Sequence, residues 1–118
     1  MTQKRKVAIF LFDEVEVLDF AGPFEVFAVT RDASGQDKPF EVFTVGESGD
    51  AITAHNGLRV HPTYGFHNCP QPDILLIPGG NGTRPLIDHP PVIDWITQQA
   101  QQVELLLSVC TGALLLAK

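Results

Sequence analysis

VELLLSVCTGALLLAK, residues 103–118, is the stretch on which the reading of the whole chain turns. Residues 103–110 form a short, nearly continuous apolar run, the pattern of a strand buried on both faces in a parallel sheet. Cys110 stands where the run ends, and Thr111-Gly112 lead into what reads as a helix. A tight strand-to-helix turn pushes its first side chain outward. The unpaired N–H groups of a helix start favour a thiolate there. The competing reading is inert packing, because free cysteines are among the most buried side chains. Position and flanks alone do not separate the two.

Two more runs share this character. KVAIFLF at 6–12 and DILLIPGG at 73–80 read as buried strands, the second ending in a Pro-Gly-Gly turn. FEVFTVG at 40–46 alternates apolar and polar residues and predicts a further strand. AITAHNGLRVHPTYGF at 51–66 predicts a hairpin turning at Asn56-Gly57. A helix is expected from about Pro23 to Thr30, entered through a turn at DFAGP, with Pro23 at the first helical position. Leu86, Ile87, Val92, Ile93 and Ile96 mark a second helix, broken near Pro90-Pro91. Residues 31–39 are a polar loop. Strand, helix, strand, hairpin, strand, helix, strand and helix in that order predict an α/β fold: a mostly parallel sheet with helices on both faces, one domain over 1–118.

A chain of 118 residues can bury one core. Its net charge of -6 argues against nucleic acid as its own ligand, since phosphate binding needs a basic face. The one basic cluster, Lys4-Arg5-Lys6, reads as a solubilising start to the first strand. The opening apolar run is seven residues long and meets Asp13-Glu14 at once, which does not fit a secretory signal. No run approaches the ~20 apolar residues of a membrane span. Two cysteines make no disulfide scaffold, so a cytoplasmic protein with reduced thiols is expected. Cys69, in a loop, reads as incidental. His55, His61 and His67 recur at regular spacing, but hairpin geometry does not require them to converge, so no metal site is expected.

In an open α/β sheet, ligands bind outside the carboxyl ends of the strands. FDEVEVLD follows the first strand, PGGNG the third and CTG the fourth, so all three fall there. Backbone N–H groups of Thr111 and of the Gly79-Gly80 turn are placed to meet a developing negative charge. Read alone, Asp19 is a solvated turn residue or a helix cap.

Three motifs in order, FDEVEVLDFAGPFEVF (12–27), DILLIPGG (73–80) and SVCTGALLLA (108–117), resemble the ThiJ/PfpI superfamily. The resemblance covers essentially the whole chain. It implies a flavodoxin-like, class I glutamine amidotransferase-like fold, of which these residues form the N-terminal portion. Within the superfamily the motifs look most like the isonitrile hydratase branch, which includes the amidase-like domains of AraC-type regulators.

The resemblance places the nucleophile on Cys110, its acidic partner on Asp19, a site-lining hydroxyl on Thr111 and a backbone donor at Gly79-Gly80. It implies a hydro-lyase adding water to a small electrophilic carbon, with no cofactor and no metal. The alternatives are a ligand-sensing domain of a transcriptional regulator and a redox or glyoxalase/deglycase-type stress protein. Protease-like members carry histidine after the cysteine, where this chain has Thr111, and glyoxalase-like members use Glu where it has Asp19. A small-molecule substrate and a homodimer are implied, with nucleic-acid contact only through a segment beyond Lys118. Without further strands, residues 103–109 should form an exposed apolar edge.

Overall fold

A computed structural model describes residues 4–117. The elements are β1 (Arg5–Leu11), α1 (Val17–Val29), β2 (Phe40–Gly46), β3 (Ile52–Thr53), β4 (Arg59–Val60), β5 (Tyr64–Gly65), β6 (Ile74–Ile77), α2 (Thr83–Leu86), α3 (Pro90–Ala100), β7 (Leu105–Ser108) and α4 (Ala113–Leu116). Single 3-10 turns lie at His55–Gly57 and Cys110–Gly112. Five strands form one sheet in the order β5-β2-β1-β6-β7, and every pairing in it is parallel. β3 and β4 form a separate antiparallel hairpin, turning where Asn56 adopts a left-handed φ of 71°.

β1 is central, and its Val7, Ala8 and Ile9 have no exposure at all. From it the chain crosses to β2 on one side, and from β6 it crosses to β7 on the other. Right-handed crossovers in opposite directions put their helices on opposite faces. The packing agrees. Phe27 of α1 meets Phe40 edge-on, 5.0 Å between centroids, on the face shared with Val7 and Ile9. Trp95 of α3 reaches Phe10 on the other face at 6.2 Å and stacks on Phe66 at 4.2 Å. At the amino ends, Asp73 joins three strands: its N–H donates to the Lys6 carbonyl, its carboxylate accepts from the Lys6 N–H, and its carbonyl accepts from Glu104 and Leu105.

Three features differ from the sequence expectation. α1 begins at Val17, six residues before Pro23, so DFAGP is helix and not a turn. The Asp19 N–H closes the first turn onto the Glu16 carbonyl, and Pro23 withholds only the bond that would have reached the Asp19 carbonyl. Tyr64-Gly65, read as part of the hairpin, instead pair in parallel with β2. β7 is not buried on both faces: Leu105 is 48% exposed and Leu106 and Leu107 are half-buried, whereas β6 is buried throughout. Among the described residues no strand pairs with the outer edge of β7, which is the exposed apolar edge expected of this portion of the fold.

The aromatic cluster of Phe10, Phe12, Phe66 and Trp95 is the packing that fixes α3 to the sheet. Phe10→Ala is therefore expected to cost roughly 3–5 kcal/mol, read from urea unfolding followed by circular dichroism. A loss under about 1 kcal/mol would contradict this packing.

Candidate functional site

The crevice forms where the chain's two crossovers diverge, outside the carboxyl ends of β1, β6 and β7. Register sets its dimensions. Ile77 of β6 faces Ser108 of β7, so two residues further on Gly79 and Cys110 lie side by side. On the β1 side, Val15 bridges Gly80 in antiparallel fashion and the Glu16 N–H donates to the Gly79 carbonyl at 2.9 Å. α1 starts immediately afterwards, and its first turn carries Asp19 over the Gly79 peptide.

Two glycines let these segments approach. A Cβ on Gly79 would lie 2.8 Å from both the N and Oγ1 of Thr111 and 3.0 Å from Asp19 Oδ2. Gly80 has a φ of 129°, and a Cβ there would sit 2.5 Å from the Glu14 carbonyl oxygen. Only glycine fits such a backbone and such a space.

Cys110 is exposed and has a φ of 49°, a left-handed conformation that costs a non-glycine residue about 1–2 kcal/mol. The surroundings impose it. The Val109 N–H donates to the Ile77 carbonyl at 3.0 Å and the Gly112 N–H to the Val109 carbonyl at 2.9 Å. Gly112 is packed so closely that a Cβ would meet the Ile77 carbonyl oxygen at 2.2 Å. The turn leaves Cys110 exposed, and its thiol donates to Asp19 Oδ1 at 3.7 Å. The other carboxylate oxygen, Oδ2, accepts from the Gly79 N–H at 3.2 Å. The hydroxyl of Thr111 accepts from the Gly80 N–H at 2.9 Å. Cys110, Asp19, Thr111, Gly79 and Gly80 thus come together, from segments 31 to 91 residues apart.

Two details depart from the sequence expectation. The amides of Gly79 and Gly80, expected as donors to a developing charge, are taken by Asp19 and Thr111, so they order the site's side chains. And the charge nearest the sulfur opposes a thiolate there. The Asp19 charge pushes the Cys110 thiol above its ordinary value, aided by the hydrogen bond to Asp19, by burial and by the Glu16 charge.

The sequence reading does not single out Thr83. Thr83 is fully buried and its hydroxyl donates to the Gly80 carbonyl at 2.9 Å. Its position three residues after Gly80 in PGGNGT is the signal that was available. Elsewhere, Cys69 is half-buried, its thiol donates to the Pro70 carbonyl at 3.2 Å, and burial pushes it up to about 11, which disfavours its thiolate. His55 pairs with Glu14 at 3.0 Å, and His61 with the Pro62 carbonyl, so the spaced histidines do not converge. Among the described residues no three His, Cys, Asp or Glu side chains gather as a metal ion would need. Nor is any described helix long and apolar enough to cross a membrane.

Residues 5–118 match the DJ-1/PfpI family, and the chain belongs to that family. It is 35% identical over 111 residues to an isonitrile hydratase of Pseudomonas putida, covering 94% of this chain and 46% of that protein. It is 26% identical over 114 residues to the HTH-type transcriptional regulator GbdR of Pseudomonas aeruginosa, covering 97% of this chain and 30% of the regulator. A ThiJ/PfpI family protein from Pseudomonas syringae superposes with a TM-score of 0.85 at 25% identity, over 97% of this chain and 45% of that one. The chain thus spans less than half the length of these relatives.

The close approach at Gly79 has a measurable counterpart. Gly79→Ala is expected to destabilise by roughly 1–3 kcal/mol, because the new methyl overpacks Thr111 and Asp19. Gly22→Ala, at a helical position with nothing within 4 Å, is expected to stabilise by about 0.5–1 kcal/mol. Urea midpoints of the two variants check both signs, and a neutral Gly79→Ala would contradict the geometry.

Proposed function

We propose that this member of the DJ-1/PfpI family hydrates a small isonitrile to the N-substituted formamide, with Cys110 as nucleophile and Asp19 as proton carrier. The observation that carries the reading is the contact between the exposed Cys110 Sγ and Asp19 Oδ1. The likeness to an isonitrile hydratase supports the choice of substrate.

The atoms balance through that pair. As substrate carbon approaches, Asp19 takes the thiol proton and the sulfur bonds to the terminal carbon. Asp19 returns the proton to the same carbon, leaving a thioimidate, R–N=CH–S–Cys110. Water then adds its oxygen to carbon and one proton to nitrogen. The tetrahedral adduct expels the sulfur, which recovers the second proton of the water, and R–NH–CHO departs. The raised thiol suits this sequence, since the proton needed at carbon starts on the sulfur and is handed over only when a partner arrives. Thr111 lines the crevice beside the sulfur. A homodimer in the cytoplasm, with no cofactor, completes the reading.

A second reading, a ligand-sensing domain of a regulator that binds without turnover, is favoured by the likeness to GbdR. Release of formamide from a panel of small isonitriles separates the two. Under the hydratase reading, Cys110→Ala abolishes formamide and Asp19→Asn lowers kcat by roughly 10²–10⁴-fold. Saturable binding with no product in the wild type would favour the sensor. Undiminished activity in Cys110→Ala would overturn the mechanism.

A further inference from the structure

Thr83 lies outside the motifs that carry the family likeness, yet it is the one polar side chain in the described core without any exposure. Its hydroxyl and that of Thr111 grip a single residue from both ends. Thr83 donates to the Gly80 carbonyl at 2.9 Å, and the Gly80 N–H donates to Thr111 Oγ1, also at 2.9 Å. The two hydroxyl oxygens are 3.5 Å apart.

A hydroxyl has one proton to give and two lone pairs to receive. One lone pair of Thr111 is committed to the Gly80 N–H. Its proton can go to the Gly80 carbonyl at 3.3 Å, to the Thr83 hydroxyl at 3.5 Å or to a substrate held at Cys110. Thr83 already serves that carbonyl from a shorter distance, which weakens its pull on the Thr111 proton. Gly80 itself cannot turn away, because Glu14 and Val15 close over it and its φ is 129°.

We propose that Thr83 is a positioning residue that holds the Gly80 peptide so that Thr111 presents its proton to the substrate. Resting on the hydratase reading, that proton faces the thioimidate nitrogen, the atom that must be protonated when water adds. Without the Thr83 hydroxyl, the Thr111 proton turns back to the Gly80 carbonyl and the second half of the reaction slows.

The test uses the full chain with Thr83→Val, Thr83→Ser, Thr83→Ala, Thr111→Val and the Thr83→Val/Thr111→Val double variant, each shown to be folded by circular dichroism. Thr83→Ala stands in should Thr83→Val fail to fold. Without substrate, loss of the hydroxyl should move the Gly80 carbonyl 13C resonance and speed Gly80 amide exchange by roughly 10-fold or more, while Thr83→Ser leaves both near wild type. With an isonitrile, Thr83→Val should lower kcat by roughly 10–100-fold with KM nearly unchanged, Thr83→Ser should restore it, and the double variant should be no slower than Thr111→Val alone. Additive losses in the double variant, or a Gly80 signal indifferent to the hydroxyl, would overturn the assignment. If the wild type makes no formamide, the hydratase reading fails by itself, and the Gly80 resonances alone decide whether Thr83 holds that peptide.

Discussion

The parallel pairing of β1 with β6 is the constraint from which the site follows. Because the chain leaves β1 toward β2 and leaves β6 toward β7, the connections part on opposite faces and a crevice opens at the carboxyl ends between them. Nothing local brings Asp19 to Cys110 across 91 residues of sequence. The ladder does, by setting Ile77 level with Ser108 and Ile9 level with Leu76. Asp73 at the amino ends ties β1, β6 and β7 into one frame. The glycines then decide how near the segments come, since a side chain at Gly79 would push against Thr111 and Asp19 and one at Gly80 against the backbone of Glu14 to Glu16.

Proximity of this kind fixes the protonation chemistry. The Asp19 charge beside the Cys110 thiol opposes a second negative charge and raises the thiol above its ordinary value. Under the hydratase reading the two groups are one unit, whose single proton passes between sulfur, carboxylate and carbon. The strained φ of Cys110 belongs to the same design. It is maintained by the Val109 and Gly112 hydrogen bonds, and it spares the sulfur from burial in the core just beneath it.

Much of this was legible in the residues. The apolar runs at 6–12 and 73–80 and the alternating run at 40–46 gave their strands, and Asn56-Gly57 gave the hairpin turn. The Pro90-Pro91 pair correctly marked the break between α2 and α3. What escaped was what depends on tertiary context. Gly22-Pro23 looked like a helix entrance because proline favours first turns, while the Asp19 N–H closing on Glu16 lies earlier and leaves no compositional mark. β5 is two residues long and exists only because β2 offers an edge. The apolar run ending at Cys110 is β7, whose outer side no described strand covers. Asp19 alone read as a turn residue, and only the resemblance pointed to its role. A helix start after Cys110 is visible in the sequence, whereas the Asp19 charge beside the sulfur comes from 91 residues away.

The most direct test of the account is the pH dependence of Cys110 alkylation by iodoacetamide, compared between the wild type and Asp19→Asn in a Cys69→Ser background. Removing the negative charge removes the largest cause of the raised thiol, so the variant's midpoint should fall to lower pH and its alkylation near neutrality should quicken. A midpoint that stays put, or one that climbs when Asp19 is neutralised, would mean that sulfur and carboxylate do not share a proton.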